Sequence, residues 1–415
     1  MTHTRQNRNG NGAFDLWATI AAYALALLMI VFATSLHAQT FTVLHAFAPQ
    51  GRDGYEPLAG LAMDRAGNLY GTTAFGGHSN QCSNCGTVFQ LVRRSSGWTY
   101  STILSFNGVD GEIPVAQLIV GQNGTLYGTC TAGGSSGEYG TVFNLQPQPR
   151  VCATVLCPWI ATVLHNFYYT DGYYATNITF DQAGNLYGTT MQGGSNSAGV
   201  VYELTPSGGS WTFQILTDFA GSDIGDPNGV VPDHNGNLYG TAYGGYPGVV
   251  FELTNSGQLQ ILHQFSFSTG IDPDTGLMFD SSGNLYGQTL FDGPSGGGGT
   301  VFELSPSAGG WTFNTLYSFP GGINNGTEGN PNLTMDSQGN LYGTTFANGA
   351  YDQGIVFKLT PSANGWIYTD LHDFTGGDDG CGAWSNVAMD SQGNLYGTSS
   401  SCGANGGGTV WEITP

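Results

Sequence analysis

From residue 39 onward the chain runs in short apolar stretches rich in β-branched and aromatic residues, bounded by Gly, Asn, Ser and Pro. That pattern predicts strands rather than amphipathic helices. Four kinds of stretch recur in a fixed order. The first reads Trp-Thr-Phe-x-x-Leu-x-x-Phe at 211–219 and 311–319, shortened at 41–47 and 259–265. The second is an apolar run ending in Asp, as at 58–64. The third is Asn-Leu-Tyr-Gly-Thr-Thr, as at 68–73, and the fourth is Gly-Thr-Val-Phe-x-Leu, starting at Gly86, Gly140, Gly299 and Gly408, with variants at Gly199, Gly248 and Gly354. Leu-Tyr-Gly occurs seven times, at Tyr70, Tyr127, Tyr187, Tyr239, Tyr286, Tyr342 and Tyr396, every 47–60 residues. A motif at such a period marks a repeat architecture.

Between the second and third stretches lies Asp-x-x-Gly-Asn, at Asp64, Asp181, Asp233, Asp280, Asp336 and Asp390; the second copy has Gly121 instead. Asp opening a turn accepts backbone N–H groups, and the Gly supplies positive φ, so this is hairpin chemistry. A calcium loop needs more oxygens and a terminal Glu. Leu and Tyr of the third stretch point to opposite faces, both expected to be buried as packing positions. The Gly after them is read as room for close sheet approach or as a bulge. Four antiparallel strands repeated seven times predict an all-β, seven-bladed β-propeller. Link lengths predict the blade order second–third–fourth–first. The 41–47 strand is expected to pair with the C-terminal blade and close the ring.

Composition adds a compartment. Arg5 and Arg8 precede an apolar run at 16–33 and small residues up to Ala38, the layout of a signal peptide. The expected organisation is therefore a leader over 1–38, with an uncleaved signal anchor as the alternative, and one propeller domain over 39–415. The chain carries 8 Lys and Arg against 29 Asp and Glu, a formal net charge of −21. That excludes nucleic acid and anionic membranes as electrostatic partners and suits a secreted or cell-surface monomer. Seven cysteines in an exported chain suggest disulfides. Cys381 with Cys402 flank one hairpin symmetrically, Cys152 with Cys157 share an insertion, and Cys82 with Cys85 form a Cys-x-x-Cys read as a small structural bridge. Cys130 is left over.

Leu-Tyr-Gly-Thr-Thr-x-x-Gly-Gly followed by Gly-Thr-Val-Phe-x-Leu, at 69–77 with 86–91 and at 186–194 with 199–204, resembles the Gloeo-Verruco tandem repeat of exported bacterial proteins. Kelch repeats are more distantly similar. The resemblance implies an exported propeller and carries no activity with it.

Function is expected on the loops that join first to second stretches, on the same face as those joining third to fourth. The candidates are Asp53, Glu56, Asp110, Glu112, Asp171, Tyr173, Asp223, Asp272, Glu328, Asp379 and Trp384. Carboxylates converging on the axis could bind calcium, the one cofactor left open, or act on a glycan as an acid/base pair. The aromatics suit sugar rings, and Asp-Gly there is equally turn chemistry. His45, His165, His263 and His372 recur at one position of the first stretch, expected at an exposed edge. No nucleophile elbow, zinc-protease motif or phosphate loop occurs, and no catalytic residue is assigned. The expectation is a binding or scaffold module for glycan or protein. The alternative is a cation-dependent hydrolase, lyase or lactonase.

Overall fold

A computed structural model describes residues 39–49, 51–135, 137–147, 159–221, 224–273, 275–320 and 332–415. The expected leader at 1–38, the Cys152–Cys157 pair, Asp223 and Glu328 lie outside these residues. The described residues 41–414 belong to one compact unit. They form seven four-stranded antiparallel sheets, a seven-bladed β-propeller. Blades 1 to 6 span 62–105, 119–166, 173–218, 225–264, 278–318 and 334–373, each in sequential strand order. Blade 7 joins 388–414 to Thr40–Ala46 as its outermost strand, so both ends of the repeat region meet in one sheet. The predicted order and closure hold.

The turn aspartates do more than start a hairpin. Asp233 Oδ1 accepts the N–H groups of Asn235 (2.8 Å) and Asn237 (2.9 Å), while Oδ2 accepts the Asn237 amide and the Tyr239 hydroxyl. The Leu-Tyr-Gly tyrosines are therefore packed and hydrogen-bonded at once. Five of their rings, those of Tyr70, Tyr127, Tyr239, Tyr286 and Tyr396, lie under the next blade's tryptophan, as with Trp311 on Tyr239 at 5.7 Å and Trp98 on Tyr396 at 5.6 Å. The invariant Gly leaves room for a cross-strand ring, not for a neighbouring sheet. A Cβ on Gly240 would meet Phe251 Cζ at 2.7 Å, and Phe251 is its direct strand partner.

Packing across the seams between blades is what makes the ring. The Phe ending each first stretch is at most 2% exposed (Phe47, Phe106, Phe167, Phe219, Phe265, Phe319 and Phe374). It meets an aromatic ring of the next blade in the repeat, for example Phe106 against Phe143 at 5.1 Å and Phe319 against Phe357 at 5.2 Å. Burying such a ring is worth about 2–3 kcal/mol. Beside it runs a polar bond. The Thr after Leu-Tyr-Gly donates Oγ1 to a carbonyl of the next blade: Thr72 to Pro114, Thr129 to Thr176, Thr189 to Pro227, Thr241 to Thr275, Thr344 to Ser385 and Thr398 to Ala59, at 2.6–3.1 Å.

Candidate functional site

The loops into the innermost strands start with a fixed geometry. Gly54 has φ 86°, and a Cβ there would lie 2.0 Å from Thr73 Oγ1. Only Gly passes over the buried Thr73–Thr87 hydroxyl pair, so Asp-Gly is scaffold chemistry. The preceding carboxylates pair with histidines of the outermost strands. Asp53 Oδ2 meets His45 Nε2 at 2.9 Å, Asp171 meets His165 at 3.2 Å, and Asp379 meets His372 at 3.1 Å.

The histidines correct the exposed-edge expectation. Their side chains are 17–20% exposed in these pairs. Each stacks on an aromatic ring of the next blade's outermost strand: His45 on Tyr100 (3.8 Å), His165 on Phe213 (3.7 Å), His372 on Phe41 (3.7 Å) and His263 on Phe313 (3.9 Å). Burial holds His45 and His372 below the usual imidazole range despite their aspartates. His263 has Thr269 where the other loops have Asp. Among the described residues its Nε2 is buried without a partner, and burial lowers its pKa to about 4.

Two residues beyond Gly54, Gly111, Gly172, Gly270 and Gly380, and at Asp226 in blade 4, the chain adopts a conformation that L-residues avoid. Glu56, Ile113, Tyr174, Asp226 and Asp272 have φ between 47° and 58°, and Gly382 has 63°. No Gly or Asn signature announces the first five. Ile113, β-branched, is a strong outlier. What holds the strain is the seam. The N–H groups of Glu56, Ile113, Asp226, Asp272 and Gly382 donate to Gly407, Cys85, Ala198, Pro247 and Gln353 of the preceding blade's loop, at 2.9–3.1 Å. These residues form a repeated, strained and rigid set on the loop face, the kind of position that functional sites use. Burial raises the Glu56, Glu112 and Asp226 carboxyls above their usual range.

Aromatic side chains surround this set on blades 2 to 5. Tyr139, Tyr169, Tyr173 and Tyr174 form a contiguous cluster, with ring centroids 4.4–6.3 Å apart. Tyr174 is 41% exposed, and it lines a cleft of about 180 Å³ between blades 2 and 3 with Ile113, Val115 and Met191. A second group lies at the seam of blades 4 and 5: Tyr243, Tyr246 and Phe267, exposed by 38%, 57% and 63%. Tyr246 and Phe267 meet at 6.1 Å. Of these rings the sequence pattern singles out Tyr173; Tyr243, Tyr246 and Phe267 are absent from that expectation, though they align with the loop-face positions.

The other candidates have structural partners. Asp110 Oδ1 accepts the Asn107 N–H at 2.8 Å. Trp384 leans on Phe346 at 5.2 Å, with Nε1 buried and unpaired among the described residues. Cys82–Cys85 and Cys381–Cys402 are disulfides, as expected. Glu112 lies beside the first of them, within 4.8 Å of both sulfurs. Cys130 is a buried free thiol, pushed up by burial and facing Thr141. It stands where other blades have the Thr or Ser of a hydroxyl pair, as in Ser399–Thr409 at 2.7 Å.

Among solved structures, a catalytically inactive variant of virginiamycin B lyase from Staphylococcus aureus with quinupristin is similar at TM-score 0.55 and 11% identity, over 91% of this chain and 99% of that one. A streptogramin B lyase is similar at TM-score 0.55 and 12% identity, over 91% and 97%. A putative 6-phosphogluconolactonase from Bacteroides uniformis follows at TM-score 0.51 and 12% identity, over 80% and 86%. At these identities the likeness shows the propeller fold alone. No curated protein sequence matches this chain. The model of the Gloeobacter/Verrucomicrobia repeat matches residues 29–159, 158–336 and 312–415, and the chain belongs to that repeat family.

Proposed function

We propose that this is an extracytoplasmic binding propeller that takes a glycan on its loop face, across blades 2 to 5. The observation that carries this reading is the pair of exposed aromatic groups, Tyr169–Tyr174 and Tyr243–Phe267, the first on a turn tied to its own blade and the second beside the seam hydrogen bond from Asp272 N–H to Pro247 O. Flat rings on a rigid support stack sugars at little entropic cost. The two disulfides and the family's exported character support an extracytoplasmic setting. Among the described residues no helix is long and apolar enough to cross a membrane.

The similar lyase and lactonase structures raise a second reading, a cation-dependent enzyme with axial carboxylates. The geometry favours it less, because Asp53, Asp171 and Asp379 are engaged by histidines away from the axis. Glu56 and Asp226 remain for it. A glycan array on the purified protein, repeated with Tyr174→Ala and Tyr246→Ala, tests the proposal. Binding to a defined glycan class that falls at least tenfold in either variant supports it. No glycan binding, together with a melting temperature that rises in calcium, would turn the reading to the enzyme.

A further inference from the structure

The seam of blades 3 and 4 lacks a ring that most other seams supply. In five seams the indole of the next blade's outermost strand meets a Leu-Tyr-Gly tyrosine edge-on, with centroids 5.6–6.4 Å apart and planes inclined by 62–72°. Tyr187 of blade 3 has no such cover, because the chain carries no Trp between Trp211 and Trp311 and blade 4 falls wholly within that stretch. Tyr342 also lacks an indole, but Lys358 Nζ lies 5.5 Å from its ring centre and it is 9% exposed. Among the described residues no ring covers Tyr187, which is only half-buried.

The cause is a shortened hairpin. The outer hairpin of blade 3 continues past the Leu204–Phe213 pair through Thr205–Thr212, Pro206–Trp211 and Ser207–Ser210. That of blade 4 ends at the equivalent pair, Leu253–Leu259. Asn255 then folds back on the neighbouring turn, donating its N–H to Asn237 Oδ1 and its side-chain amide to the Asn235 carbonyl, each at 3.0 Å. Where the missing rungs and their Trp would lie, a cleft of about 460 Å³ is lined by Tyr187, Glu203, Gln214, Leu216, Leu238 and Leu253. Its walls are firm. Leu238 and Leu253 belong to a buried core on which Tyr187 and Leu216 pack. The Tyr187 hydroxyl lies 3.0 Å from Glu203 Oε1 and 3.3 Å from Asp181 Oδ2, which fixes the ring.

We infer that this cleft is a docking site for a partner polypeptide that presents a tryptophan, seated edge-on against Tyr187 where the blade 4 hairpin stops short. The occupant follows from the fold itself, since five sister seams fill the equivalent place with an indole. Edge-to-face rings gain beyond their buried area, and Trp anchors in desolvated pockets dominate binding between polypeptides. The cleft lies at the hairpin ends of the strands, opposite the loop face, so it stands apart from the glycan reading.

A peptide with the sequence of residues 205–214, its Trp fluorinated, tests the inference when titrated with the intact protein and followed by fluorine NMR. Saturable broadening with a Kd on the order of 1 mM is expected for one anchor and little preorganisation. The Trp211→Ala version of the peptide should compete roughly tenfold more weakly. Ser256→Trp in the protein, on the exposed turn at the rim of the cleft, supplies an indole from within. It should weaken the peptide roughly tenfold while the melting temperature holds or rises. Tyr187→Leu should weaken it as much and Tyr187→Phe much less. A loss in either Ser256→Trp or folded Tyr187→Leu supports the site. No saturable signal, equal competition by the alanine peptide, or unchanged affinity in both variants overturns it. Displacement by a neutral glucose oligomer as readily as by the unlabelled peptide overturns the polypeptide as occupant.

Discussion

Replacing Thr241 by Val tests whether the ring is held by polar staples as well as by buried rings. Thr241 is 0% exposed, and its Oγ1 donates to the Thr275 carbonyl of the next blade at 2.6 Å; Thr275 is also 0% exposed. Val keeps the β-branch and nearly the volume, so packing barely changes. The lost hydrogen bond costs about 1 kcal/mol, and the stranded carbonyl adds about as much again, giving about 2 kcal/mol. Thr241→Ser keeps the hydroxyl and loses one methyl, about 0.8 kcal/mol. Thr212→Val on an exposed outer-strand position serves as control and should change stability by less than about 0.5 kcal/mol. Equilibrium unfolding in urea, followed by tryptophan fluorescence with an unchanged m-value, reads all three. In a chain of 415 residues the expected fall in melting temperature is only roughly 2–4 °C, so denaturant is the better assay. If Ser costs as much as Val, or Val no more than the control, the staple contributes nothing and the reasoning fails.

Other outcomes follow from the same geometry. Gly54→Ala, whose Cβ would lie 2.0 Å from Thr73 Oγ1, should destabilise by more than about 3 kcal/mol in denaturant; Gly67→Ala, with nothing within 4 Å, should cost only about 1 kcal/mol. His263 stays neutral in the fold down to about pH 4, whereas the unfolded chain takes a proton near its ordinary pKa of 6.5. Its stabilising effect is therefore complete above about pH 6.5 and is lost as pH falls toward about 4, by about 1–2 kcal/mol after allowance for partial exposure. His263→Phe should flatten that slope in a pH series of melting curves, and an unchanged slope would assign it to other groups. Reducing Cys381–Cys402, which closes a separation of 21 residues, should cost about 3 kcal/mol. Cys82→Ser with Cys85→Ser, a separation of 3, should cost about half as much, both read by urea unfolding.

The blade count, the hairpins and the closing strand were legible because each is local: Leu-Tyr-Gly, Asp-x-x-Gly-Asn and the link lengths all lie within one unit of the pattern. What was misread lies across seams. His45 and Phe41 are far apart in sequence from Tyr100 and His372, and no alternation within one strand tells that these rings stack. The loop carboxylates suffered likewise. Asp53 and Asp379 sit in loops whose acids suggest axial ligands, but their partners are histidines of the outermost strands. The left-handed turns at Glu56, Ile113 and Tyr174 carry no residue that prefers that conformation. At Glu56 and Ile113 the neighbouring blade's carbonyls hold that conformation, so it has no local signature.

The seventh blade draws its outermost strand from Thr40–Ala46 and the rest from 388–414. The contact that completes the ring is thus among the most distant in sequence, and chain entropy delays it until the last repeat exists. Until then the two flanks of the growing arc present unpaired strand edges and half a seam each, open to another chain. Through its synthesis the chain is an incomplete circle, and the time to closure sets its window for mispairing. Joining residues 39 and 415 by a short linker and opening the chain at an outer hairpin such as 207–210 would move that moment to another seam without altering any blade.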